Sequence, residues 1–118
     1  ESQPFRIAVL GAMLELGPDE KDLHVGIGRY ALEGGVDALL TVGSASDASL
    51  DALAGAMADG ASLAGDASHV DWVHDIDEAD RLVTRLAVEH PGAVVLLKGS
   101  HASGLSALAE RWQALAAQ

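Results

Sequence analysis

The sequence of 118 residues contains no cysteine and very few aromatic residues. The absence of cysteine excludes disulfide bonds and thiolate metal sites, and it is compatible with a cytosolic protein. Because only Phe5, Tyr30, Trp72 and Trp112 are aromatic, a hydrophobic core must be built mostly from Ala, Val, Leu and Ile. This composition is typical of a sheet that is covered by helices.

Basic residues are also scarce, since 7 Lys and Arg stand against 18 Asp and Glu and the formal net charge is -11. Binding a nucleic-acid backbone requires Lys and Arg to replace condensed counterions, so we exclude nucleic acid as a partner. No apolar run approaches the roughly 20 residues that span a bilayer. The N-terminus lacks the basic and then apolar layout of a secretion signal. We therefore expect a cytoplasmic protein without a membrane partner.

The length and the 49% hydrophobic content fit a single globular domain over residues 1–118. Apolar segments predict four strands, which lie at Phe5–Leu10, Val36–Val42, Val70–Val73 and Ala93–Leu97. A helical pattern follows each strand, and the order β-α-β-α-β-α-β-α requires right-handed crossovers and a mainly parallel sheet. The predicted fold is therefore α/β, a Rossmann-like three-layer arrangement with at least four strands.

The predicted helices differ in how clearly the sequence marks them. In the first helix, an apolar face of Leu23, Ile27, Tyr30 and Ala31 ends at a pair of glycines. The second helix ends at Gly60, at Gly65 or beyond, and the third begins at a cap formed by Asp75 or Asp77. The last helix starts near Ser103 and has the cleanest apolar stripe.

The fourth strand is the place where we expect chemistry. Its five consecutive apolar residues, at 93–97, predict a strand covered on both faces, and Lys98 is the first charge at its carboxyl end. Ligands of parallel sheets bind outside the carboxyl ends of the strands. The loops after the first, second and fourth strands contain glycine and polar residues, so we expect them to share one functional edge.

Lys98 is the strongest candidate for a binding role, because a lysine that ends an apolar strand must point its ammonium at solvent, a carboxylate or a ligand. Gly99 and Ser100 add backbone donors and a hydroxyl group. The alternative is a merely solvated lysine. Glu15, in the first loop, is the nearest candidate acceptor, and its alternative is also simple solvation.

The five histidines do not form a ligand pattern. His24 lies close to the functional edge, and a partly buried helix histidine is the equal alternative. For His69 and His74 we favour a surface position over metal binding, and we predict no metal site. The sequence has neither a P-loop motif nor a G-x-G-x-x-G after the first strand, and Gly26 and Gly28 predict close helix packing instead.

Four segments, taken in order, resemble the C-terminal domain of the Mur ligases. They are Val9–Gly17, Leu23–Gly26, Val36–Asp37 with Val42–Gly43, and Val95–Ser100. The resemblance covers nearly the whole chain and is least distinctive between residues 50 and 80. Ala12 stands where the family often has aspartate, and His101 where arginine is frequent.

The resemblance implies an ATP-dependent ligase that adds D-alanyl-D-alanine to a UDP-muramoyl tripeptide through an acyl phosphate, in peptidoglycan precursor synthesis. It implies that ATP and Mg²⁺ belong to the full enzyme, whose N-terminal and central ATPase domains are absent here. The chain begins at Glu1 and not at methionine, which suggests a fragment. Alone, the domain is expected to bind no cofactor and to be inactive, with no catalytic residue of its own.

By the same resemblance, Lys98, Gly99, Ser100 and His101 lie beside the incoming dipeptide, and Gly11, Glu15 and His24 face the nucleotide and reacting phosphate. Two alternatives stay open. One is a stand-alone binding or interaction domain of flavodoxin-like architecture. The other is the equivalent domain of a folylpolyglutamate or cyanophycin-type ligase.

Overall fold

A computed structural model describes residues 4–12, 19–65, 70–98, 108–110 and 112. Within these residues, four parallel strands form one sheet in the order β3-β2-β1-β4. The strands are β1 (Arg6–Gly11), β2 (Ala38–Val42), β3 (Val70–Val73) and β4 (Val94–Lys98). They alternate with the helices α1 (Glu20–Glu33), α2 (Ala48–Ala64) and α3 (Ile76–Glu89). The predicted α/β class with a parallel sheet is confirmed.

The two faces of the sheet carry separate hydrophobic clusters. One cluster joins Ile7, Val9 and Leu40 to Ala79 and Val83 of α3. On the opposite face, alternate residues of the same strands pack against α1 and α2; this second cluster contains Ala8, Leu10, Leu39, Met57 and Ala61. Because neighbouring residues of a strand point to opposite faces, the central strands are buried on both sides.

Helices α1 and α2 approach each other closely through glycine. A Cβ atom added at Gly28 would overlap the backbone carbonyl of Met57, and one added at Gly60 would overlap the carbonyl of Val25. The predicted close packing is therefore confirmed for Gly28, whereas Gly26 faces open space. Gly60 lies inside α2, which continues to Ala64.

The apolar face predicted for α1 is only half right. Ile27 and Ala31 pack against the sheet, but Leu23 is 47% exposed and Tyr30 is 79% exposed. The residues that α1 buries completely include His24, which the pattern did not place in the core. The physical reason is the glycine contact, because α1 packs closely against α2 while Leu23 and Tyr30 line the open groove beside β4.

The prediction that β4 is covered on both faces is wrong for the residues that the structure describes. Val94 is 52% exposed and Leu96 is 58% exposed, whereas Val95 and Leu97 pack against the core on the side of α3. Strand β4 lies at the end of the four-stranded sheet. Because α1 is held against α2, the second face of β4 has no helix over it among the described residues.

The last predicted helix is described only at residues 108–110 and 112, where the backbone is helical. Leu108 is fully buried in the cluster shared with α3. Trp112 Nε1 donates a hydrogen bond of 2.8 Å to Asp80 Oδ1 of α3. The rest of that predicted helix lies outside the described residues.

Candidate functional site

The carboxyl ends of the four strands meet at one edge of the sheet. In the parallel register Leu10 pairs with Lys98, Gly11 pairs with Val42, and Val42 pairs with Val73. Strands β2, β1 and β4 therefore end side by side, at the edge where the sequence predicts that the loops after them lie. We call this border the carboxyl edge.

Lys98 is the last residue of β4, and its side chain is exposed at the carboxyl edge. It lines a groove whose other walls include Asp22 of α1 and Leu10 of β1. Gly99, Ser100 and His101, which were predicted to act with Lys98, lie outside the described residues. Asp22 was not singled out from the sequence, because the helix turn that brings it near β4 depends on the packing of α1.

The groove beside Lys98 runs between α1 and β4 and has a volume of about 650 Å³. It is the open space left by the exposed face of β4, and its walls are almost entirely apolar. The residues that line it are Ala8, Leu10, Asp22, Leu23, Gly26, Ile27, Tyr30, Ala31, Gly34, Val36, Leu96 and Lys98. The carboxyl edge is therefore continuous with an apolar surface on one side of the sheet.

Gly11 and His24 were predicted to face a nucleotide. Gly11 ends β1 and is buried, and Glu15, predicted to act with it, lies outside the described residues. His24 is fully buried, and its Nδ1 donates to the backbone carbonyl of Glu20 at 2.6 Å. This geometry matches the alternative of a buried helix histidine, so the nucleotide-facing role of His24 stays a prediction.

The turn between β2 and α2, residues 43–47, is ordered by its own side chains. The hydroxyl oxygen of Ser44 accepts hydrogen bonds from the backbone N–H groups of Ser46 and Asp47, at 3.1 and 2.9 Å. Asp47 then caps α2 by accepting from the N–H groups of Ser49 and Leu50, which satisfies donors that a helix start leaves free. We call residues 43–47 the β2 turn.

Asp51 and His74 form a side-chain pair next to the β2 turn. His74 Nδ1 lies 2.7 Å from Asp51 Oδ1, with His74 half exposed and Asp51 mostly covered. The predicted surface position of His74 is confirmed, but the pair itself was missed. Its members are 23 residues apart, and only the pairing of β2 with β3 brings them together.

The pKa of His74 is raised above its usual value. The largest cause is the hydrogen bond to the Asp51 carboxylate, and desolvation, the next in size, opposes it. The negative charges of Asp51, Glu78 and Asp75 add to the increase in the pKa. An acceptor that is negatively charged stabilises the imidazolium form. His74 therefore holds its proton to a higher pH than an isolated histidine.

No metal site is found among the described residues of this edge. Within residues 4–12, 19–65 and 70–98 and the few described residues beyond them, no three side chains of His, Asp or Glu converge as metal ligands. Over the same residues, no helix combines the length and the apolar character needed to cross a membrane.

Comparison with known families defines the class of protein. A family model described as "Mur ligase, glutamate ligase domain" matches residues 1–101. The chain therefore belongs to the Mur ligase family and corresponds to its C-terminal domain, as the sequence motifs predicted.

Curated relatives make the comparison more specific. The chain is 40% identical over 103 residues to UDP-N-acetylmuramoyl-tripeptide–D-alanyl-D-alanine ligase of Mycobacterium leprae (strain TN), covering 87% of this chain and 19% of that protein. It is 37% identical over 107 residues to the enzyme of the same name from Mycobacterium tuberculosis (strain H37Rv), covering 87% of this chain and 21% of that protein. The chain thus spans about a fifth of the length of these relatives.

A solved structure supports the fold. The crystal structure of MurF from Acinetobacter baumannii superposes with a TM-score of 0.72 at 22% sequence identity, covering 93% of this chain and 22% of that one. The likeness extends over nearly the whole chain, so the fold described above is also found in about a fifth of that larger chain.

Proposed function

We propose that the chain is the C-terminal domain of an ATP-dependent ligase that joins D-alanyl-D-alanine to a UDP-N-acetylmuramoyl tripeptide. The observation that carries the proposal is the match, over 87% of the chain, to relatives whose names state this ligation. The carboxyl edge supports it, because edges of this kind bind the ligands of parallel sheets. The amide bond forms when the amine of the dipeptide attacks the acyl phosphate of the tripeptide, which breaks the bond from carbon to the phosphate oxygen and releases phosphate and a proton.

In this proposal Lys98 binds the incoming dipeptide. Its exposed ammonium at the end of β4 is suited to the carboxylate of D-alanyl-D-alanine, and a charged hydrogen bond of this kind is stronger than a neutral one. Holding the carboxylate fixes the position of the amine at the other end of the dipeptide. Gly99, Ser100 and His101 follow Lys98 directly and are proposed to complete the contact.

The described residues do not by themselves form a binding site for a nucleoside triphosphate. At the β2 and β3 side of the carboxyl edge, Asp51, Asp75 and Glu78 carry negative charge around His74, and negative charge repels phosphate. The sequence also has no P-loop motif to cradle phosphates. In the proposal, ATP and Mg²⁺ are therefore held by the remainder of the parent protein, and no step is assigned to them on this chain.

The proposal makes other domains of the same polypeptide the first partners of this chain. The relatives are about five times longer, and ligation needs groups from several domains in one geometry. We expect the 118 residues alone to show no ATP turnover with UDP-muramoyl tripeptide and D-alanyl-D-alanine. Robust activity of the isolated chain would contradict the proposal that ligation needs the other domains.

The test of the proposed binding role is Lys98→Ala in the full-length parent enzyme. Loss of one charged hydrogen bond, about 1.5–3 kcal/mol, predicts a KM for D-alanyl-D-alanine that rises roughly 10- to 100-fold. The matched control is Lys21→Ala, which removes a lysine from the exposed surface of α1 and leaves KM unchanged. Unchanged kinetics in Lys98→Ala would refute the role of Lys98.

Substrate profiling of the same enzyme tests the ligation itself. We expect amide formation with D-alanyl-D-alanine and none with single amino acids such as glutamate or aspartate. Preference for glutamate or aspartate would favour a folylpolyglutamate or cyanophycin-type ligase instead.

A further inference from the structure

Three elements meet at one carboxylate on the β2 and β3 side of the carboxyl edge. Asp51, in the first turn of α2, accepts a hydrogen bond from the backbone N–H of Ser44 at 3.1 Å. The same oxygen, Oδ1, also contacts His74 Nδ1 at 2.7 Å. One side chain therefore links the β2 turn to the residue that follows β3.

The backbone at Gly43 is shaped to admit this carboxylate. A Cβ atom added at Gly43 would overlap Asp51 Oδ1, so a larger residue there would push the carboxylate away from Ser44. The N–H of Gly43 donates to the carbonyl of Val73 at 2.8 Å, which extends the pairing of β2 with β3 into the turn. Glycine, carboxylate and imidazole thus fit together as one unit.

His74 is itself fixed in position from its own side of the sheet. Its backbone N–H donates to Glu78 Oε1 at 2.8 Å, and Asp75 caps α3 by accepting from the N–H of Glu78. The imidazole ring also packs at a tilt against the ring of Trp72, with centroids 5.2 Å apart. A ring held in this way can act as a fixed support for Asp51.

The charges around His74 are negative. Asp51 faces it from α2, and Asp75 and Glu78 face it from the start of α3. Arg81 and Arg85 share a neighbouring cavity with Glu78, and Trp72 on β3 carries no charge. A protonated His74 therefore relieves repulsion among three carboxylates, and a neutral His74 does not.

We propose that Asp51 and His74 are positioning residues, which together hold the β2 turn in place at the carboxyl edge of the ligase. The catalytic consequence rests on the proposed function, whereas the effect on the order of the turn does not. The imidazolium form makes the stronger, charge-assisted hydrogen bond to Asp51. Since folding raises the pKa of His74, the extra order is fully present at low pH and is lost as the pH rises through that pKa.

Hydrogen exchange in the full-length parent protein tests the positioning directly. We compare wild type with His74→Gln, which retains a neutral donor, in peptides that cover residues 43–50. At about pH 5.5 we expect roughly two- to fivefold slower exchange in the wild type, the range of an exposed ion pair. At about pH 8.5 the two proteins should exchange equally, because His74 is then neutral.

A second variant and a control separate the pair from general charge effects. Asp51→Asn keeps an oxygen that can accept from Ser44 but removes the charge, so it should abolish the pH dependence and be non-additive with His74→Gln. Glu33→Gln removes the carboxylate of the exposed Arg29–Glu33 ion pair on α1, and it should leave exchange at residues 43–50 unchanged. Equal exchange of wild type and His74→Gln at low pH, or the same loss in Glu33→Gln, would overturn the proposal.

Kinetics then decide whether the positioning serves ligation. We expect His74→Gln to raise KM for D-alanyl-D-alanine severalfold at about pH 6, with kcat nearly unchanged, and to match the wild type at about pH 8.5. An unchanged KM at low pH, beside altered exchange, would refute the catalytic consequence alone. If the parent enzyme does not ligate D-alanyl-D-alanine at all, the proposed function fails, and hydrogen exchange still decides the role of the pair.

Discussion

Strands β2 and β4 have nearly the same composition but opposite environments. Every residue of β2 is buried, and Leu39 and Leu40 have no exposed surface. In β4 the burial alternates, and Val94 and Leu96 are more than half exposed. The difference follows from place in the sheet, since β2 lies between two strands and β4 lies at the end of the four described strands. An apolar run therefore identifies a strand without showing how many of its faces are covered.

The largest expected effect comes from the central strand. Leu40→Ala removes a fully buried side chain that packs in the cluster shared with α3. The lost transfer free energy and the cavity left behind should lower the free energy of unfolding by about 2–5 kcal/mol. Equilibrium unfolding in urea, followed by circular dichroism, measures the change. A loss well below 1 kcal/mol would show that β2 is less tightly packed than the structure indicates.

An intermediate loss of stability is expected where α1 packs against α2. Gly28→Ala places a methyl group against the carbonyl of Met57, and such overpacking should cost about 1–3 kcal/mol in unfolding free energy. The matched control is Gly26→Ala on the same helix, where nothing lies within 4 Å of the added atom. That control should be neutral or stabilising by up to about 1 kcal/mol, because alanine favours helix. Similar values for both variants would contradict the close approach of the two helices.

The smallest effect is expected at the edge strand. Leu96→Ser changes a side chain that is already 58% exposed beside the open groove, so the unfolding free energy should fall by less than about 1 kcal/mol. The same urea titration measures it, with Leu40→Ala as the reference for a buried leucine. A loss as large as that of Leu40→Ala would mean that the face of β4 is covered in solution.

The carboxyl edge could be predicted because it depends on strand order and direction, which the alternation of strands and helices implies. The position of Lys98 at the end of β4 could be predicted because Lys98 is the residue at which the apolar run stops. The Asp51–His74 pair could not be predicted in this way. Asp51 lies in a helix and His74 follows a strand, and no local pattern indicates that their side chains meet.

The sequence pattern also predicted the wrong buried face for part of α1. The 3.6-residue period placed Leu23 and Tyr30 on the buried face, but both are exposed, whereas His24 is fully buried. The helical period predicts which residues share one face of a helix, but it does not predict which element packs against that face. Here the partner is α2, and glycine at position 28 sets the rotation of α1 by allowing backbone contact.

By itself the sequence determined the α/β class, the position of β3, the approximate positions of the other strands, and the Mur ligase family. These features depend on composition, on short-range periodicity and on motifs that are contiguous in the chain. Tertiary structure decided which face of each element is covered, where the groove beside β4 opens, and that Asp51 supports both Ser44 and His74. Those outcomes depend on contacts between residues far apart in the chain, and such contacts form only when the helices pack against the sheet.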